Sequence, residues 1–142
     1  MYRFGISCCV LMICASGLLG VAGLGLHAQA ETNLERLLRT KECRECDFTN
    51  TKSLSGLDLS GVDLTGANLA GSNLYRTNFT GADLSRALFD DTSTERAVFT
   101  GAKVGGASFH GANLTGAIDL NLAGTYTTAL TTCPDGSAGP CR

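Results

Sequence analysis

From Leu54 to Ala117 the chain repeats every five residues: LSGLD-LSGVD-LTGAN-LAGSN-LYRTN-FTGAD-LSRAL-FDDTS-TERAV-FTGAK-VGGAS-FHGAN-LTGA. Stepping by five from Leu54 to Leu114 gives thirteen centres. Eleven are Leu or Phe, and only Thr94 and Val104 depart. Two residues before the centre, seven of thirteen are Ala; two residues after it, nine of thirteen are Gly. Helices and flat strands repeat every 3.6 and 2.0 residues, so neither has this period. The chain must therefore turn within every unit. Five residues cannot bury their own apolar side chain, but stacked units bury a continuous axial core, which is the logic of a solenoid. The centre and the small residue before it point inward. The Asp/Asn, Ser/Thr and Gly positions face water, where short polar side chains bond nearby backbone and Gly accepts unusual dihedrals.

Units such as Ala67-Asn68-Leu69-Ala70-Gly71 and Ala82-Asp83-Leu84 resemble the pentapeptide-repeat family, from about Cys46 to Leu122. The resemblance implies an all-β solenoid: a right-handed quadrilateral β-helix with four units per coil and about four coils. Residues twenty apart should then stack. One inner column is Leu59, Phe79, Phe99; a second is Leu69, Phe89, Phe109; a third is Leu64, Leu84, Val104. The fourth, Leu54, Leu74, Thr94, Leu114, holds the one polar centre. Phenylalanines fall in two opposite columns, where they stack on themselves. Outside, Asp83 should lie beside Lys103, Asp90 beside His110, Tyr75 beside Glu95 and Arg76 beside Arg96. Phe48 fits a first unit one residue out of register, below Leu69. Ile118-Asp119-Leu120 restores the unit after a one-residue slip, with Asp119 outside and Leu120 inside.

The sequence divides into four segments. Residues 1–30 have the pattern of a secretory signal: Arg3, an uncharged apolar run from Ile6 to Leu26, then Ala28-Gln29-Ala30 before Glu31. The run exceeds the usual signal core, which leaves an uncleaved membrane anchor open. Cys8, Cys9 and Cys14 read as apolar filler. Residues 31–45 hold a short N-terminal capping α-helix, with Thr32 and Glu35 as its capping box. Its apolar face is Leu34, Leu37 and Leu38, with Arg36, Arg39 and Lys41 outside. A solenoid needs such a cap over its apolar end. Residues 46–122 are the β-helix, and 123–142 are a C-terminal cap with a Pro134-Asp135-Gly136 turn. This tail is similar to those of some exported members of the family.

Cysteine usage follows from the solenoid. Phe48 to Leu120 makes nearly four coils, roughly 18 Å tall at about 4.8 Å each. Bonded cysteines need Cα atoms within about 7 Å. That leaves Cys43–Cys46 and Cys133–Cys141 as the pairs, in an oxidising compartment. The same distance excludes a four-cysteine zinc site in one chain. Cys43-Arg44-Glu45-Cys46 also admits a redox reading, although the βαβ context of a thioredoxin is missing.

Removing Arg3 with the signal leaves ten basic and thirteen acidic residues, a net charge of −3. That balance lacks the basic face of a nucleic-acid binder. Asp90, Ser108 and His110 have no nucleophile elbow, and no catalytic residue, cofactor or metal site is expected. Tyr75, Arg76, Glu95 and Arg96 break the glycine-serine monotony and form the candidate interaction face; the plain alternative is a solvated, irregular wall. The first functional expectation is an exported, non-catalytic scaffold of the cell envelope, in the periplasm, outside the cell, or in a thylakoid lumen. Its partner is an unknown protein, with membrane contact only through an uncleaved signal segment. Members of the family that this chain resembles can stack end to end, and some imitate DNA toward type II topoisomerases, which leaves an end-to-end homodimer and a DNA-mimic role as alternatives. The latter is opposed here by export, by a short rod and by the absence of a long acidic stripe. The CxxC leaves an exported thiol–disulfide role as the third reading.

Overall fold

A computed structural model describes residues 32–141. The expected signal segment 1–30, with Cys8, Cys9 and Cys14, lies outside the described residues. The helix α1 spans Asn33–Thr40. It starts where expected: the Glu35 amide donates to Thr32 Oγ1 at 3.2 Å, and the Thr32 amide donates to Glu35 Oε2 at 2.8 Å. This reciprocal box satisfies amides that a helix N-terminus otherwise leaves bare. Lys41 ends the helix in the left-handed region, φ 61, with its amide on Leu37 O at 2.9 Å.

Leu37 is fully buried and Leu34 packs partly against the core. Leu38, expected on the same face, is instead 47% exposed. Successive helical residues lie about 100° apart, so turning Leu37 straight into the core swings Leu38 out to solvent. The cap is therefore narrower than its three leucines suggest.

Beyond α1 the chain is a parallel β-helix built from single bridges. Asp58 pairs with Asn78, Asp63 with Asp83, Asn68 with Leu88, Asn73 with Ser93, and each next pair lies five residues on, to Val98 with Ile118. A five-residue step with partners twenty apart requires four units per turn, hence four walls. At each wall the centre's amide donates to the coil above, as Leu64 N does to Asp83 O at 2.8 Å. Asp83 N returns a bond to Val62 O at 2.9 Å. At each corner the chain closes a turn, as Ala67 N does on Leu64 O at 2.9 Å. Gly66, third in that turn, has φ +69, the left-handed residue that a type II turn requires.

All thirteen centres from Leu54 to Leu114 are buried. The rings of Phe79 and Phe99 stack at 5.3 Å and those of Phe89 and Phe109 at 4.7 Å. Across the axis, Phe89 meets Phe79 and Phe99 edge-on at 6.2 and 6.3 Å. Hydroxyls that enter the core find carbonyls. Thr77 Oγ1 donates to Leu54 O at 2.8 Å, and Thr94 Oγ1 to Asn113 O at 2.8 Å. Among the described residues no buried side-chain polar atom lacks a partner, as low-dielectric burial demands.

Pairing passes both bounds of the expected 46–122 segment. At the lower end Glu42 already pairs with Asp63, and Cys43 N donates to Asp63 O at 2.8 Å. Cys43 thus fills a centre position below Leu64. The spacing there is 21, as it is from Asp47 to Asn68, so Phe48 does sit below Leu69. At the upper end Ser108 pairs with Tyr126 and Asn113 with Thr132. These spacings fall to 18 and 19, and missing residues put the tail out of phase with the repeat. Ile118 keeps the regular spacing on Val98, so the slip comes after it. Asp119 then points out and Leu120 packs partly against the core. The Pro134-Asp135-Gly136 turn forms, with Gly136 N on Cys133 O at 2.8 Å.

Candidate functional site

The walls present a ladder of short polar side chains. Asp63 Oδ1 accepts from the Thr65 amide at 3.1 Å and from its hydroxyl at 2.7 Å. The same local bond recurs from Asn68, Asn73, Asn78, Asp83 and Asn113 to the residue two positions on. It explains why the position before the centre is Asp or Asn: either supplies the acceptor. The Ser60 hydroxyl and amide hold Asp58 below the usual carboxylate range, and those of Ser137 do the same for Asp135. Burial, the largest influence on Asp63, pushes its carboxyl up. The Thr65 bonds and Arg44, 2.6 Å away, together outweigh that and leave it lowered.

Tyr75, Arg76, Glu95 and Arg96 do come together on one wall. Arg76 N donates to Glu95 O at 3.0 Å, which puts Tyr75 beside Glu95 and Arg76 beside Arg96. The Arg76 guanidinium lies over the Tyr75 ring, 5.1 Å from its centroid. Glu95 Oε1 accepts from Asn113 Nδ2 on the coil above. Both arginines are exposed, and Tyr75 and Glu95 are half-buried. Each arginine occupies the corner position where nine of the thirteen units carry glycine, and each holds φ 56.

The other expected neighbours also meet. Lys103 Nζ lies 3.4 Å from Asp83 Oδ2. The Asp90 carboxylate accepts from the His110 amide at 3.2 Å and from the Ser108 hydroxyl. Since the imidazole is not part of that set, no charge relay is assembled. Among the described residues no group of three or more His, Cys, Asp or Glu is placed to hold a metal ion. No helix among them is long and apolar enough to cross a membrane.

Cys43 and Cys46 have Cα atoms 5.4 Å apart, and Cys133 and Cys141 5.5 Å apart, so both pairs lie at disulfide distance. Arg36, expected on the outer face of α1, is exposed there and also turns its Nη2 onto the sulfurs of Cys43, at 3.3 Å, and Cys46. Helical periodicity alone does not reveal that contact. At the upper end Leu120, Leu122, Pro134 and the Cys133–Cys141 pair line an open cleft of about 700 Å³.

The family model for pentapeptide repeats matches residues 42–69, 53–91 and 94–123, with 8 copies of the repeat. The chain belongs to the pentapeptide-repeat family. Proteins of that family fold as right-handed quadrilateral β-helices, which adds handedness to the four walls seen here. Among solved structures, the pentapeptide-repeat protein Rfr23 from the cyanobacterium Cyanothece 51142 is 24% identical. The match covers 71% of this chain and 97% of that one, with a TM-score of 0.42. A pentapeptide-repeat protein from the Arabidopsis thaliana thylakoid lumen is 22% identical, over 65% of this chain and 61% of that one, with a TM-score of 0.38. QnrB1, a plasmid-mediated fluoroquinolone resistance protein, is 20% identical, over 68% and 56%, with a TM-score of 0.37. This chain therefore spans less than two thirds of the length of the last two. No curated protein matches it.

Proposed function

We propose that the protein is an exported, non-catalytic scaffold that binds another protein through its β-helical walls. The observation that carries this reading is the wall itself. Every buried polar side chain among the described residues is satisfied, and the outer positions carry short Asx-turn side chains rather than a reactive set. A flat, rigid parallel wall suits recognition, because it loses little conformational freedom on binding. The wall bearing Tyr75, Arg76, Glu95 and Arg96 is the interaction face in this reading, since Tyr and Arg are over-represented where interfaces draw their affinity.

Export is supported by the signal-like pattern of residues 1–30 and by the two cysteine pairs, which an oxidising compartment would keep as disulfides. In this reading about four coils of repeat are closed by α1 below and by the Cys133–Cys141 tail above. The cleft between that tail and Leu120 is the surface on which two rods would meet end to end. The DNA-mimic reading fits less well, since an exported protein does not meet a cytosolic topoisomerase.

The test is proximity labelling in the native host, with a membrane-impermeant cross-linker applied to intact cells. The scaffold reading expects a discrete heteromeric product formed from outside the cytoplasmic membrane. Labelling only after lysis would place the protein in the cytosol and overturn export. No cross-linked partner in either setting would overturn the scaffold role.

A further inference from the structure

A residue with φ near +60 at a corner sends its side chain toward the coil above. Glu45 Cγ lies 3.4 Å from where a Cβ on Gly66 would be, Arg86 Cγ 3.5 Å from that on Gly106, and Arg96 Cγ 3.4 Å from that on Gly116. Asn50 and Asp91 lean over Gly71 and Gly111 in the same way, close enough to overlap an added Cβ. In all five cases the residue above is glycine, which leaves the side chain its room. Arg76 is the exception. The corner above it is Arg96, and the Arg76 guanidinium is deflected sideways onto the Tyr75 ring.

Two arginines are thus stacked on adjacent coils, about 4.8 Å apart along the wall. Both are in a backbone region that disfavours side chains, and like charges are set beside each other. The contact of the Arg76 guanidinium with the Tyr75 ring offsets part of this. Among the described residues no acidic oxygen lies within ion-pair distance of either guanidinium. The carboxylate next to Arg96 in sequence, Glu95, accepts from Asn113 Nδ2 on the coil above. Arg86, on the opposite corner, stands alone between Gly66 and Gly106. The chain could carry glycine at 76 and 96 as it does at nine other corners, and the arginines call for an explanation outside the fold.

We propose that Tyr75, Arg76 and Arg96 form a docking site for a short, carboxylate-rich segment of a protein partner. The proposal rests on the reading of the wall as a protein-binding surface and names the chemistry that would recognise it. The two arginines, at corners of adjacent coils, present donors to carboxylates of one segment, and the half-buried Tyr75 ring, over which Arg76 lies, holds that guanidinium in place. The anion must be short. Asp90, Asp91 and Glu95 lie on or next to these units and the whole chain has a net charge of −2, so an extended polyanion would be repelled beyond the pair.

The experiment uses the full chain and a fluorescein-labelled hexaglutamate peptide, with binding read by anisotropy at low ionic strength. The double substitution Arg76→Gly and Arg96→Gly installs the residue of the other corners and relieves the left-handed backbone, so its thermal unfolding should come at or above the parent's temperature. Its affinity should fall by about tenfold, the combined effect of two exposed charge contacts. Arg86→Gly, which removes an unstacked corner arginine, should change affinity less than about twofold. An equal loss from Arg86→Gly would reduce the effect to net charge and overturn the site. Unchanged binding in the double variant, no binding by the parent, or tighter binding of inorganic polyphosphate than of the peptide would overturn it too. The wider reading fails separately: a native partner that cross-links to a different wall leaves the scaffold intact and removes this site, whereas a host with no cross-linked partner removes the scaffold.

Discussion

Gly71 and Gly81 share a backbone angle, φ +67, in different surroundings. A Cβ on Gly81 would meet nothing within 4 Å, whereas one on Gly71 would overlap the Asn50 side chain leaning over it. Gly81→Ala therefore carries only the left-handed backbone penalty, about 1–2 kcal/mol. Gly71→Ala should lose more, because Asn50 must also move. Adding Asn50→Gly, which removes the side chain and keeps the left-handed backbone at φ 56, to Gly71→Ala should bring the loss back toward the Gly81→Ala value. Denaturant unfolding of the four chains checks this, and equal losses for the two single variants would refute the idea that corner side chains need glycine above them. Glycine at this position was legible as a turn residue from the sequence. Its second role, as the floor on which a side chain from the coil below lies, appears only once residues twenty apart are placed together.

At the scale of the coil, the aromatic columns and the Asx ladder give separate expectations. Phe89 is fully buried, stacked on Phe109 and edge-on to Phe79 and Phe99. Phe89→Ala should cost about 3–5 kcal/mol, since a rigid four-walled tube cannot collapse into the cavity. A loss under about 1 kcal/mol in denaturant titration would mean the column is not packed as described. The carboxylates of Asp47, Asp58, Asp63, Asp83 and Asp135 all sit below their ordinary range. Ser or Thr hydroxyls are the largest cause for all but Asp63, where burial opposes the shift. A folded value below the unfolded one means the unfolded chain binds protons more readily. The stability involved is present above the ordinary aspartate value and is lost as pH falls through the folded values. Thermal unfolding temperature should thus drop on acidification below about pH 4. Asp58→Asn should keep the turn, as Asn68, Asn73 and Asn78 do in the same position, and should weaken the acid dependence. An unaltered acid limb in a chain with Asn at 47, 58 and 83 together would contradict this account.

For the molecule as a whole, the regular coils could be read from the sequence because their period is fixed by geometry. Phe stacking, the Asp83–Lys103 pair and the Tyr75–Glu95 register all follow from counting by twenty. The two ends could not be read as well. Cys43 is small and sits 21 residues below Leu64, so it does not look like a centre; Tyr126 and Thr132 pair at shortened spacings that hide the repeat. The deflection of Arg36 onto the Cys43 and Cys46 sulfurs depends on how α1 settles over the first coil, a tertiary fact with no periodic signature. The candidate face was legible as a break in monotony, but the lack of an ion-pair partner for its arginines among the described residues was not.

The central claim joins the fold to a compartment: an exported β-helix closed at both ends by a bonded cysteine pair. Intact mass of the protein purified natively, with and without reduction and alkylation, tests it most directly. The account expects a chain beginning at Glu31 and two hydrogens lighter than its reduced form for each of the Cys43–Cys46 and Cys133–Cys141 bonds. Reduction should then expose four alkylatable thiols. A chain that begins near Met1 and alkylates fully without reduction would contradict it.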